Sequence, residues 1–219
     1  MRKASEAIEI PILDRSQITL SDRDVPLLLP WPTQGNRGGF LSFEKVADWR
    51  AFVESLAIDA RIPEIVRAKY ARAQTLYLLG WADLSILKAG ELAALIALEF
   101  ALMDRYGGQI TKNKRSFAAL LKFMVESDGL TDDRIPIIVR CGGTAVGQLV
   151  GAIHPTLAER RNALAHGDPF DGFPTSGLLE LVRDLINYAY RRYLAEVASL
   201  SHALHPATFN DLGADYGQL

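Results

Sequence analysis

The segment Leu84 to Tyr106 constrains this chain most. It is apolar on nearly every side through Leu92 to Met103, and Gly107-Gly108 closes it. A helix that is apolar all round has no solvent face and must sit in the middle of other elements. The apolar part is too short for a bilayer, because extending it brings in Lys88, Glu91 and Asp104. A buried central helix is therefore expected, and the rest of the chain has to surround it.

Helical periodicity supplies the surroundings. From Ser42, a plausible N-cap, Phe43, Val46, Ala47, Phe52, Val53 and Leu56 recur at spacings near a helical turn. Pro63 followed by Glu64 opens a second helix that carries Ile65, Val66, Tyr70, Ala73, Leu76 and Tyr77 towards Trp81. Phe117 to Val125 forms a shorter one. Residues 128 to 147, rich in glycine, read as a long connection in which Ile135 to Val139 is a brief extended or helical piece. A helix from about Pro155 to His166 ends at Gly167 and Pro169. Ser176 is placed to cap the last, with Leu178, Val182, Leu185, Ala189 and Tyr193 in one stripe to about Leu200.

The first 42 residues differ. Pro11, Pro26, Pro30, Pro32, Gly35, Gly38 and Gly39 forbid a long helix there. An extended arm is expected, with Ile8-Glu9-Ile10 and Ile18-Thr19-Leu20 as short strands and Leu27 to Trp31 lying on the body or on a partner subunit. The predicted class is all-α: a bundle of five or six helices over residues 43–205, an irregular arm over 1–42 and a tail over 206–219.

With 49% hydrophobic residues the chain buries a sizeable core, which excludes a disordered protein. A formal net charge of −2 argues against non-specific binding to duplex DNA. Cys141 is the only cysteine, so neither an internal disulfide nor a thiolate cluster can form. His154, His202 and His205 lack metal-ligand spacing, and neither a metal nor a cofactor is expected. The N-terminus alternates polar and apolar residues through Ile12, unlike a secretion signal. A cytoplasmic protein without membrane attachment follows as the expectation.

Chemistry concentrates in Glu159-Arg160-Arg161-Asn162-Ala163-Leu164-Ala165-His166-Gly167-Asp168. On a helix Asn162 and His166 share a face, whereas Arg161 and His166 diverge by roughly 140°. One helix alone makes a loose site. Two helices about a two-fold axis bring each arginine near the opposite histidine, an arrangement suited to phosphodiester cleavage. In the packing alternative, Arg161 pairs with Glu159 or Asp168 while His166 caps carbonyls. Arg160 competes with Arg161 for the phosphate role. Glu99, in the apolar helix, needs a partner, and orienting Arg160 or Arg161 would give it one. Lys112, Lys114 and Arg115 read as a solvated loop, and Tyr188, Tyr190 and Tyr193 as packing rather than base-stacking residues.

These residues resemble the HEPN superfamily, whose helical domains carry an arginine, four to six residues and a histidine, often with a polar residue after the arginine. Arg161, Asn162 and His166 match that form, with Leu157, Leu164 and Gly167 in familiar places. Tyr77 to Trp81 and Gly90 to Glu99 look like the neighbouring helices, so the resemblance covers roughly residues 65 to 200. It implies a homodimeric, metal-independent endoribonuclease of single-stranded RNA, from a toxin–antitoxin or defence system, with an antitoxin or defence complex as partner. Arg161, Asn162 and His166 would be catalytic, supported by Arg160 and Glu99. Some such toxins carry a modifiable tyrosine two residues after the histidine, where this chain has Asp168. The other class is a non-catalytic helical dimer that engages a partner protein or nucleotide.

Overall fold

The computed structural model describes residues 14–167 and 173–204, with side chains as far as Ser199. Ile8-Glu9-Ile10, Asp168, Pro169, His205 and the 206–219 tail lie outside the described residues, as does the side chain of His202. Eight α-helices and two strands occur among the described residues.

The apolar helix is central, as its composition requires. It runs Ile86–Tyr106 (α3, third of the helices in chain order) and buries Leu87, Ala94, Leu95, Ala97, Leu98, Ala101 and Leu102 completely. Its small residues let neighbours come close: a Cβ on Gly90 would stand 2.7 Å from Tyr77 Cδ2. Tyr77 belongs to α2, Glu64–Leu79, which follows Pro63 and presents Val66, Tyr70, Ala73 and Tyr77 to the core. The other major partner of α3 is α8, Leu178–Leu204, through Leu178, Val182, Leu185, Ile186 and Tyr190. Truncating a fully buried leucine such as Leu98 to alanine costs about 3 kcal/mol.

Around these three lie α1 (Val46–Ser55), α4 (Phe117–Glu126, capped by Ser116) and α7 (Leu157–Ala165). Two short helices, α5 (Pro136–Cys141) and α6 (Val146–Val150), occupy the connection between α4 and α7. The structure thus has more helices than the five or six expected, because the glycine-rich connection folds into two brief ones. No helix among the described residues is long and apolar enough to cross a membrane.

The all-α expectation needs correcting at the N-terminus. Strand β1 (Leu27–Pro30) pairs antiparallel with β2 (Phe40–Phe43), Leu27 opposite Phe43 and Pro30 opposite Phe40. The period of two turns Leu27, Leu29 and Trp31 into the core while Leu28 faces water. Trp31 Nε1 donates to Glu180 Oε2 of α8 at 3.0 Å, fastening the hairpin to the body. Ser42 lies within β2, so it does not cap α1. Asp22 does that work from a distance, accepting the Val46 N–H at 2.9 Å. Ile18 to Leu20 is not a strand; Arg50 holds that segment through the carbonyls of Arg15 and Ile18.

Candidate functional site

Local sequence explains α7 well. Thr156 and Glu159 form a reciprocal capping box, the Thr156 hydroxyl accepting the Glu159 N–H at 3.1 Å and the Glu159 carboxylate accepting the Thr156 N–H at 2.8 Å. Glu159 also receives His154 Nδ1 at 2.9 Å. These bonds hold its carboxyl below the ordinary value, the His154 contact contributing most. At the other end His166 is the C-cap, its N–H bonded to the Asn162 carbonyl, and Gly167 at φ +74° turns the chain away.

Leu157 anchors α7 in the core, and that orientation sends the two adjacent arginines to opposite flanks. Arg161 faces α3, where its Nη2 lies 2.7 Å from Glu99 Oε2, and its Nη1 donates to Asn162 Oδ1 at 3.1 Å. Both charged side chains are about one-third exposed or less, at 32% and 26%. Glu99 therefore pairs with Arg161, not with Arg160, and Arg161 pairs with neither Glu159 nor any other described acid. His166 is exposed at the helix tip and makes no side-chain hydrogen bond or ion pair with a described residue. Asn162 is exposed between them. Within one chain no bond joins Arg161 to His166.

Arg160 points the other way, with Nη1 3.4 Å from Thr175 Oγ1. It stands between two cavities. The larger, about 410 Å³, has Arg37, Lys88 and Arg160 on its walls together with Ile137, Ile138, Leu157 and Leu178. The smaller, about 310 Å³, meets Lys88, Glu91, Glu159 and Thr175. Ser176, expected to cap α8, instead has a buried hydroxyl with no hydrogen-bond partner.

Sequence reasoning passed over Glu91. It is fully buried in α3, where its Oε1 accepts the Thr175 N–H and Lys88 Nζ lies 3.4 Å from Oε2. Burial pushes its carboxyl above the ordinary value, although Lys88 and the Thr175 N–H pull the other way. The available signal was its spacing from Ala94, Leu95 and Leu98 on the most apolar face. Tyr188 and Tyr190 are buried core residues. Lys112 and Lys114 lie in an exposed single turn of 3-10 helix, with Arg115 exposed just after it. Among the described residues, no group of three or more His, Cys, Asp or Glu side chains is placed to hold a metal ion. No protein-family model, curated protein or solved structure matches this chain.

Proposed function

We propose that this protein is a HEPN-type endoribonuclease that acts as a homodimer and cuts single-stranded RNA without a metal ion. One observation carries the reading: on a single short helix, Arg161 is held in place by Glu99 while the exposed His166 imidazole is uncommitted to any described side chain. A guanidinium fixed by a carboxylate needs no reordering to meet a phosphate, which is how preorganised charge lowers a barrier. An exposed imidazole at a helix end can reach the oxygens of a bound substrate and serve there as proton acceptor or donor.

Two copies of α7 facing each other would supply two of each group. The ribose 2′-oxygen attacks the adjacent phosphorus, its proton passing to His166 of one copy. The bond from phosphorus to the 5′-oxygen breaks, and His166 of the other copy gives that oxygen a proton. The products are a 2′,3′-cyclic phosphate and a 5′-hydroxyl. Arg161 neutralises charge on the non-bridging oxygens, Asn162 orients the Arg161 edge, and Glu99 supports Arg161 from α3, while Arg160, expected to share that role, points to the other flank of α7. DNA, lacking the 2′-hydroxyl, is resistant. A cytoplasmic setting in a toxin–antitoxin or defence system, with an antitoxin or defence complex as partner, goes with this reading.

The test is cleavage of end-labelled single-stranded RNA in excess chelator. Arg161→Ala and His166→Ala should each lower the rate about 100-fold or more while the protein stays folded. Mixing His166→Ala with the unaltered protein should depress cleavage below the unaltered protein's own share, since each hybrid dimer lacks one of the two histidines that the step uses. Equal residual cleavage in all proteins would instead leave the non-catalytic dimer, a binding module for a partner protein or nucleotide.

A further inference from the structure

The larger cavity is separate from the Arg161 and His166 flank of α7, and the ribonuclease reading gives it no task. Its cations come from three distant parts of the chain: Arg37 from the turn between β1 and β2, Lys88 from α3 and Arg160 from α7. Among the described residues that line it there is no carboxylate. Lys88 is matched by Glu91 next door, so among the described residues Arg37 and Arg160 are left as about two positive charges without a counter-charge at the cavity wall.

Two further donors lack partners. Arg160 Nε and Ser176 Oγ have no hydrogen-bond partner, and both belong to partly buried side chains that line the cavity, so a small rotation brings their unused donors to an acceptor there. Arg37 lies flat on the backbone of Gly143, where a Cβ would stand 2.3 Å from its Cζ, so this glycine gives the guanidinium its seat. The first residues of α8, Leu178 onward, close the same space with the positive end of a long helix. Ile137, Ile138 and Leu181 give the lining an apolar part as well.

We propose that this cavity binds a phosphate monoester carried on a compact apolar body, the dianionic phosphate lying between Arg37, Arg160 and Ser176 and the body against Ile137 and Ile138. Two uncompensated guanidinium groups match the charge of a phosphate monoester at neutral pH, and the forked donors of arginine suit its oxygens. The volume, about 410 Å³, holds such a group with one or two rings.

The experiment titrates the full chain with 1-naphthyl phosphate by calorimetry at low salt and slightly alkaline pH, with inorganic phosphate and 1-naphthol as competitors. Saturation with one probe per chain is expected. Arg37→Gln and Arg160→Gln should each weaken binding about tenfold or more, and 1-naphthol should bind at least as much more weakly. Ile138→Trp fills the apolar side and leaves every cation in place, so it should weaken 1-naphthyl phosphate while inorganic phosphate binds as before. Lys122→Gln, on the far side of α4, should change nothing, and neither should Arg161→Ala or His166→Ala, which separates this site from the ribonuclease. No saturation by about 1 mM probe overturns the proposal. So does unchanged affinity in folded Arg37→Gln and Arg160→Gln, or equal loss of both ligands in Ile138→Trp.

Discussion

Two partly buried polar clusters in this molecule are built on opposite terms. At the end of α4, Asp128 is saturated: it accepts Tyr106 Oη at 2.6 Å, Arg191 Nη1 at 2.6 Å and Arg191 Nη2 at 2.8 Å, with Arg192 Nη2 at 2.9 Å. Its own carbonyl takes Tyr188 Oη, and the Arg191 guanidinium lies 3.7 Å over the Tyr188 ring. Burial pushes this carboxyl up, but the hydrogen bonds from Arg191 and Tyr106 and the two arginine charges outweigh it and hold it below the ordinary range. Around α7 the reverse holds. Arg160 Nε, Arg161 Nε, Ser176 Oγ and Glu91 Oε2 are all buried without a hydrogen-bond partner. The difference separates polar groups that clamp helices together from polar groups left with bonding capacity for something else.

The contrast is exposed first by removing the clamp. Asp128→Ala strands Arg191 and the Tyr106 hydroxyl and should cost about 3 kcal/mol in urea unfolding. A loss below about 1 kcal/mol would mean that the saturated cluster is not a clamp. Next come the two arginines compared as methionine variants. Arg191→Met should cost about 2 kcal/mol, whereas Arg160→Met should stay within about 0.5 kcal/mol of the parent or gain stability, since it discards an unsatisfied nitrogen. Equal penalties would erase the distinction.

Acid and base limbs of stability should also differ. Asp128 titrates below its ordinary 3.8 in the fold, so its contribution is complete above that value and is lost as pH falls through the folded pKa. Glu91 titrates above its ordinary 4.5, so its contribution is present below that value and is lost as pH rises through the folded pKa. Unfolding followed from about pH 3 to about pH 8 should therefore show the acid limb flattened in Asp128→Asn and the upper limb flattened in Glu91→Gln. The opposite assignment would reverse the roles of the two clusters. The smallest effect belongs to Ser176→Ala, within about 0.5 kcal/mol, because the lost hydroxyl made no bond. A larger penalty in thermal melts would show that it does serve the fold.

Much of the helical frame could be read from residue order. Pro63 and the Gly107-Gly108 stop mark boundaries by local chemistry, and the stripe Leu178, Val182, Leu185 and Ala189 repeats often enough to stand out. The hairpin was hidden because alternation spans only Leu27, Leu29 and Trp31 and is interrupted by Pro30, which is tolerable in a two-stranded sheet but suggests no strand. The short α5 and α6 were hidden because pieces of five or six residues carry too few turns for a period to show.

At the candidate site, sequence by itself determined that an arginine, an amide and a histidine share the end of one helix, since a capping box at one end and glycine at the other set the limits of α7. It also determined that a carboxylate in α3 must find a partner. Which carboxylate goes deepest, Glu91 or Glu99, and which arginine meets it were decided only in three dimensions. The reason is rotational: one position along a helix turns a side chain by about 100°, so the docking angle of α7 on α3 sends Arg161 to Glu99 and Arg160 into the cavity. That angle is set by core contacts such as Leu157, from parts of the chain that local periodicity does not connect.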